Sequence, residues 1–154
     1  MKNTTLIYLE QDQKYLMLHR TKKEHDINHD KWIGVGGKME ENESPEDGAI
    51  REILEETGLT VLRDDLHYRG LVTFVSDQSE GEYMHLFTAQ RFSGTLKECD
   101  EGDLCWVPKE KVLALPTWEG DRLFLNRIAG PNPFFVMKLV YEGDRLVFSS
   151  VKNV

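Results

Sequence analysis

Acidic residues are concentrated between residues 40 and 56, where Arg51 is the single base. Glu55 and Glu56 follow Glu52 by three and four residues, so on a helix these three carboxylates share one face. Like charges at this spacing destabilise a helix. A hard cation would relieve the repulsion, and Mg²⁺ suits a site where a substrate also supplies phosphate oxygens. Considered alone, the pattern favours a solvated acidic helix surface, with a magnesium-binding helix as the alternative.

The helix that would carry these carboxylates has recognisable end signals. Ser44 is a predicted N-cap, and Pro45 suits the first helical position. Gly58, directly after Thr57, is a typical C-terminal stop. The sequence therefore predicts a helix over residues 45–57.

A helical wheel places an apolar face opposite the carboxylates. The residues predicted to anchor the helix to a sheet are Ile50, Ile53, Leu54 and Thr57. The carboxylate face is accordingly expected to stay clear of the core. Gly48 and Ala49 fall beside the carboxylates one turn earlier, where small residues would let another segment approach.

The elements around this helix are short and alternate in type. Apolar runs predict strands at residues 5–10, 14–20, 32–35, 66–76, 83–92, 104–107, 134–141 and 146–151, and further helices at 108–115 and 119–129. Residues 21–31 are polar and predict a loop. Hairpins mixed with crossovers indicate an α/β fold with a mixed β-sheet flanked by helices. With 154 residues, the chain is expected to form a single domain, 1–154.

The segment from Gly37 to Leu59, GKMEENESPEDGAIREILEETGL, resembles the Nudix box. That box reads G-x5-E-x7-R-E-U-x-E-E-x-G-U, in which U is a bulky aliphatic residue. The matching positions are Gly37, Glu43, Arg51, Glu52, Ile53, Glu55, Glu56, Gly58 and Leu59. The resemblance implies an α/β/α sandwich with a loop–helix–loop catalytic motif. It also implies an enzyme that hydrolyses a nucleoside polyphosphate.

The Nudix resemblance implies roles for individual residues of the box. The Gly37 carbonyl, Glu52, Glu55 and Glu56 would surround Mg²⁺, with Mn²⁺ as a substitute. Glu52, or an acid outside the box, would serve as the base, and Arg51 would orient a catalytic carboxylate. Metal ions lower the pKa of a bound water, and a nearby carboxylate can then remove its proton.

Three residues outside the box are also candidates. Glu101 lies in an acidic turn over residues 99–103 and is the expected extra metal ligand or base, with a plain surface turn as the alternative. Lys38 and Arg20 are expected to hold the outer phosphates of the substrate. Their alternative role is that of ordinary surface charges.

Further segments extend the resemblance to MutT-type 8-oxo-dGTP diphosphatases, especially the bacterial ones. They are KWIGVGGK at 31–38, CWV at 105–107 and PTWEGD at 116–121. This implies hydrolysis of 8-oxo-dGTP to the monophosphate and pyrophosphate. Trp118 would stack on the base, or else belong to the core, and Glu119 or Asp121 would read the base edge. Animal enzymes of this group have asparagine in the pocket where this chain has Ile33, so the base must be read differently.

Composition narrows the remaining alternatives. A net charge of −8 argues against binding to nucleic acid polymers or anionic membranes. No apolar run approaches the length of a membrane span, and no signal peptide is evident, so a cytoplasmic protein is expected. The sequence leaves open whether it is a monomer or a homodimer. The two cysteines are predicted to be unpaired thiols. The rival functions are a Nudix enzyme for dinucleoside polyphosphates, ADP-ribose or RNA 5′ ends, a non-catalytic nucleotide sensor, and a structural protein.

Overall fold

The computed structural model describes residues 1–154 and has the predicted α/β composition. The strands are β1 (Lys2–Gln11), β2 (Lys14–His19), β3 (Trp32–Ile33), β4 (Leu59–Thr60), β5 (Leu66–Ser76), β6 (Glu82–Ala89), β7 (Ser93–Gly94), β8 (Asp103–Pro108), β9 (Phe135–Glu142) and β10 (Arg145–Asn153). The helices are α1 (Pro45–Thr57) and α2 (Asp121–Ile128). Neither helix is long and apolar enough to cross a membrane.

The main sheet is mixed, as predicted. Its strand order is β10-β9-β5-β6-β1-β2-β3, and β8 also pairs with β2. β1 runs parallel to β6 and β5 parallel to β9, whereas the other pairs in this sheet are antiparallel. β4 and β7 form a separate two-stranded sheet.

The predicted hairpin of β1 and β2 is real but short. Its turn residues Asp12 and Gln13 both have positive φ, the geometry of a type I′ turn. Only two residue pairs next to the turn are in register, and the strands then diverge. Residues 35–39 run beside β1 instead, with Ile7 N–H donating to the Val35 carbonyl at 2.7 Å. This pairing holds the glycine segment against the first strand.

α1 has the predicted bounds and caps. Ser44 Oγ accepts the Asp47 N–H at 3.1 Å, and Gly58 closes the helix with φ of 79°. Its orientation differs from the prediction, because Leu54 is 49% exposed whereas Glu56 is only 7% exposed. The buried face is Gly48, Ala49, Ile53, Glu56 and Thr57. The helix therefore turns its Glu56 side, and not its Leu54 side, towards the sheet. The expectation that all three carboxylates avoid the core was wrong.

Two other helix predictions need correction. Residues Lys109–Ala114 form a 3-10 helix rather than an α-helix. The segment is too short for a stable α-helix, and Pro116 disfavours a helical conformation at Leu115. α2 begins at Asp121 rather than at residue 119, since the preceding residues form a turn in which Asp121 N–H donates to the Trp118 carbonyl.

The core lies on both sides of the sheet. Alternation along β1 places Ile7 and Leu9 in one cluster with Ile53 of α1, and Tyr8 in the other with Phe124 of α2. Each helix therefore covers one face, which gives the α/β/α sandwich that the sequence predicted.

Candidate active site

Two adjacent glycines form the loop that faces α1. Gly36 has φ of 148°, and a Cβ there would lie 1.9 Å from the Thr5 carbonyl oxygen. A Cβ on Gly37 would lie 2.9 Å from the carboxylate of Glu52. Only glycine therefore lets the backbone at position 37 approach the Glu52 carboxylate this closely.

Arg51 clamps the acidic residues of the motif. Its Nε and NH2 groups donate to both oxygens of Glu43, at 2.7 and 2.9 Å. Its NH1 group donates to Glu52 at 2.8 Å and to Glu55 at 3.1 Å. These charge-assisted bonds hold Glu52 in one orientation. The Arg51 guanidinium also lowers the pKa of Glu43.

Glu56 is a buried carboxylate at the end of this motif. Gly36 N–H donates to its Oε1 at 2.6 Å. Burial raises the pKa of Glu56 well above its usual range, and the neighbouring carboxylate of Glu101 adds to that effect. Burial also raises the pKa of Glu52, although Arg51 opposes the shift. Without a cation nearby, burial therefore favours the protonated form of Glu56.

Glu101 reaches this cluster from a distant part of the chain. Arg20 NH1 donates to Glu101 Oε2 at 2.7 Å, and Lys23 Nζ donates to Oε1 at 3.3 Å. Arg20 Nε also donates to Asp26 at 2.6 Å. Arg20, expected to hold phosphates, is thus bound to two carboxylates, and its visible role is to position Glu101.

The donor chemistry of this cluster fits a hard divalent cation. It combines carboxylate oxygens with the carbonyl of Gly37, the ligand types that Mg²⁺ prefers. The side chains do not form a ready-made three-ligand cage. Glu52 and Glu55 are turned towards Arg51, Glu55 is 57% exposed, and Glu56 is turned towards Gly36. Binding would therefore require side-chain rotation.

One cavity of about 310 Å³ connects the acidic cluster to an aromatic wall. It is lined by Gly37, Glu52 and Glu101 and also by Trp118 and Asp121. The predicted residues Arg20, Ile33 and Lys38 line it as well. Glu119 does not line it and is exposed to solvent, so the structure does not support Glu119 as a reader of the base edge. The volume is at the lower end of the range for small-molecule sites.

Trp118 belongs both to the core and to the cavity wall. It is 5% exposed, and its ring packs edge-on against Phe74 and Tyr141 at centroid distances of 5.1 and 5.0 Å. Its indole Nε1–H donates to Asn28 Oδ1 at 2.7 Å. Trp118 is therefore a core residue that also lines the cavity, and its stacking on a base stays a prediction.

Asp121 is a buried acid in the same cavity. Burial raises its pKa to about 8, although the Trp118 backbone and Lys31 oppose the shift. Near neutral pH this side chain can therefore be present in both protonation states. Such a group can accept or donate a hydrogen bond.

Sequence reasoning missed the contribution of residues 21–31, described there only as a polar loop. Asp26, Ile27 and Asn28 of this loop line the cavity. Asn28 N–H donates to Asp26 Oδ1 at 3.0 Å, a local turn typical of aspartate. That turn signal was available in the sequence, but the contacts with Glu101 and Trp118 lie too far along the chain to be inferred.

Comparison with protein families finds a match to the NUDIX domain over residues 2–128. The oxidized purine nucleoside triphosphate hydrolase of Mus musculus is 36% identical over 151 residues, which cover 97% of this chain and 94% of the mouse protein. A Nudix hydrolase of Bacillus subtilis is 32% identical over 131 residues, covering 82% and 78% of the two chains.

Solved structures show the same architecture. The mutator MutT protein of Bacillus halodurans superimposes with a TM-score of 0.84 at 25% identity, covering 98% of this chain and 97% of that one. A MutT protein of Methanosarcina mazei gives a TM-score of 0.71 at 26% identity, covering 83% and 92%. This chain therefore shares its overall fold with these MutT proteins.

Proposed function

This chain belongs to the NUDIX family and is a Nudix hydrolase, and on that premise we propose that it hydrolyses 8-oxo-dGTP to 8-oxo-dGMP and pyrophosphate. The observation that carries the proposal is the single cavity lined by both the acidic cluster and Trp118. A nucleotide whose base contacts Trp118 would extend its phosphates towards Glu52 and Glu101. The name of the mouse relative supports an oxidised purine as the base.

The acidic cluster would bind Mg²⁺, or Mn²⁺ in its place, through Glu52, Glu55, Glu56 and the Gly37 carbonyl. When bound, the ion neutralises phosphate charge and lowers the pKa of a coordinated water. Glu52 or Glu101 takes the proton from the attacking water. Arg51 holds Glu52 ready for this step, and Arg20 does the same for Glu101.

Lys38 is exposed at the cavity wall and supplies a flexible positive charge for the outer phosphates. Because Arg20 is bound to Asp26 and Glu101, it contributes to phosphate binding less directly. Little covalent chemistry is required of a protein in phosphoryl transfer, so positioning and charge dominate.

Base recognition combines stacking with edge contacts. Stacking on an aromatic side chain contributes about 1–3 kcal/mol and tolerates any base. Oxidised guanine differs from guanine by a carbonyl oxygen at C8 and a proton on N7. The ionised form of Asp121 can accept a hydrogen bond from that N7–H, whereas unmodified N7 presents only a lone pair to it. A mismatch of this kind costs about 1–3 kcal/mol in a buried site.

The test compares kcat/KM for 8-oxo-dGTP and dGTP at equal Mg²⁺. We expect a preference for 8-oxo-dGTP of up to about a hundredfold. Hydrolysis in oxygen-18 water should place the label on the monophosphate, because water attacks the α-phosphorus.

A ratio near one would reject the proposed base preference. Faster turnover of a dinucleoside polyphosphate, ADP-ribose or RNA 5′ end would assign the same chemistry to another substrate. Tight binding without hydrolysis would identify a sensor instead. We also propose a cytoplasmic location, where unpaired thiols such as Cys99 and Cys105 remain reduced.

A further inference from the structure

Asn28 presents an amide group of fixed orientation to the cavity. Indole Nε1–H is only a donor, so the atom it meets at 2.7 Å must be the amide oxygen of Asn28. The Nδ2 amino group consequently points away from Trp118. Nδ2 donates no hydrogen bond to another protein atom, and it is not fully buried. Its two N–H groups are therefore available to a ligand.

The backbone around Asn28 is held in place from several directions. Asn28 N–H donates to Asp26 Oδ1 at 3.0 Å, while Arg20 donates to the other Asp26 oxygen at 2.6 Å. The Asn28 carbonyl accepts the Lys31 N–H at 2.9 Å. A side chain held at both its backbone and its amide oxygen loses little further freedom when it binds a ligand.

Two polar residues that line the cavity are held directly beside Trp118. Ile33 cannot form a hydrogen bond, and Arg20 and Glu52 belong to the acidic cluster. Among the side chains that line the cavity, Asn28 accepts the Trp118 indole N–H, and the backbone N–H of Asp121 donates to the Trp118 carbonyl, so both residues lie beside Trp118. Asn28 offers a donor, and Asp121 offers an acid that accepts or donates. Such a pair can read the edge of a purine.

We propose that Asn28 is a specificity-determining residue whose Nδ2–H donates to the C6 carbonyl of the substrate base. The cavity would then select 6-oxopurine nucleotides, because a 6-aminopurine places a second donor against Nδ2. Two facing donors leave both unpaired, which is the costly outcome in a buried site. This inference rests on the proposed hydrolysis of a purine nucleoside triphosphate.

The decisive variant is Asn28→Asp, which keeps an oxygen for the Trp118 N–H and removes both amide donors. Its substrates are 8-oxo-dGTP and 8-oxo-dATP, which carry a carbonyl and an amino group at C6. We expect the ratio of kcat/KM for 8-oxo-dGTP over 8-oxo-dATP to fall by about 10- to 100-fold. An added charge that merely repels phosphates would weaken both substrates equally and leave the ratio unchanged.

The matched control is Asn126→Asp, the same change at an exposed position of α2 that lies outside this cavity. It should leave both kcat/KM values unchanged. Binding of 8-oxo-dGMP and 8-oxo-dAMP, measured by calorimetry without a divalent cation, should show the same change in ratio. This second readout does not depend on catalysis.

Asn28→Ser provides an independent check if the aspartate variant does not fold. A serine hydroxyl donates or accepts, so the ratio should move towards one. An unchanged ratio in either folded variant would overturn the role of Asn28 and leave the proposed hydrolysis intact. Failure of the unmodified protein to hydrolyse either triphosphate or bind either monophosphate would overturn the proposed function together with this inference.

Discussion

Replacing Asp121 with asparagine should change how the stability of the protein depends on pH. The folded-state pKa of Asp121 is raised to about 8 by burial, from an ordinary value of 3.8. Between these two values the folded protein retains a proton that the unfolded chain releases. Raising the pH through this window therefore favours unfolding, and the stabilisation present at low pH is lost as the folded-state pKa is approached.

The expected magnitude follows from the proton linkage. A single group contributes at most about 1.4 kcal/mol per pH unit, so roughly 2–3 kcal/mol of unfolding free energy is lost between pH 5 and 7. Asparagine does not titrate, and its shape is nearly that of aspartate. The unfolding free energy of the Asp121→Asn variant, relative to that of the original protein, should therefore rise by this amount between pH 5 and 7.

The assay is urea unfolding followed by tryptophan fluorescence at several pH values, with chelator and without nucleotide. Taking the difference between the two proteins removes the contributions of other titrating groups, including Glu52 and Glu56. Glu119→Gln is the matched control, because it removes an exposed carboxylate that lies two residues before Asp121. A difference between Asp121→Asn and the original protein that does not vary with pH would refute the raised pKa.

Three further predictions concern the metal, the helix and the stacking residue. Chelation should abolish hydrolysis, and Mg²⁺ should restore it. Glu52→Gln and Glu56→Gln should each lower kcat by orders of magnitude while the circular dichroism spectrum is retained. Normal kcat in both variants would refute the metal-site assignment. Ile53→Ala should destabilise by about 2–5 kcal/mol in urea unfolding because Ile53 is fully buried, whereas Leu54→Ala should cost far less. Trp118→Ala should raise KM for every nucleotide tested, and a selective effect on one base would contradict stacking as its role.

Local sequence signals predicted α1 well because its determinants are local. The cap at Ser44, the stop at Gly58 and the spacing of the three glutamates all depend on neighbours within one or two turns. Helical periodicity gives only the relative angles of side chains. Which side faces the sheet depends on tertiary packing, and this is why Leu54 was placed in the core and Glu56 was not.

The cavity was predicted less completely, because its contacts join distant segments. The hydrogen bond from Arg20 to Glu101 spans 81 positions, and the one from Trp118 to Asn28 spans 90. No periodic pattern encodes such pairs. Asn28 stood in a polar loop without any feature that separated it from solvent-facing neighbours, and only the folded chain shows that its amide lies beside Trp118.

The pairing of residues 35–39 with β1 has a consequence for insertions and deletions. Side chains and amides alternate direction along a paired strand. One extra residue between Trp32 and Gly36 would therefore turn each amide and side chain of the glycine segment to the opposite side. The amide that binds Glu56 would then point away from it. An insertion at the turn of Asp12 and Gln13 leaves this register intact. Natural length variation among relatives should therefore concentrate at that turn and be excluded from the glycine segment.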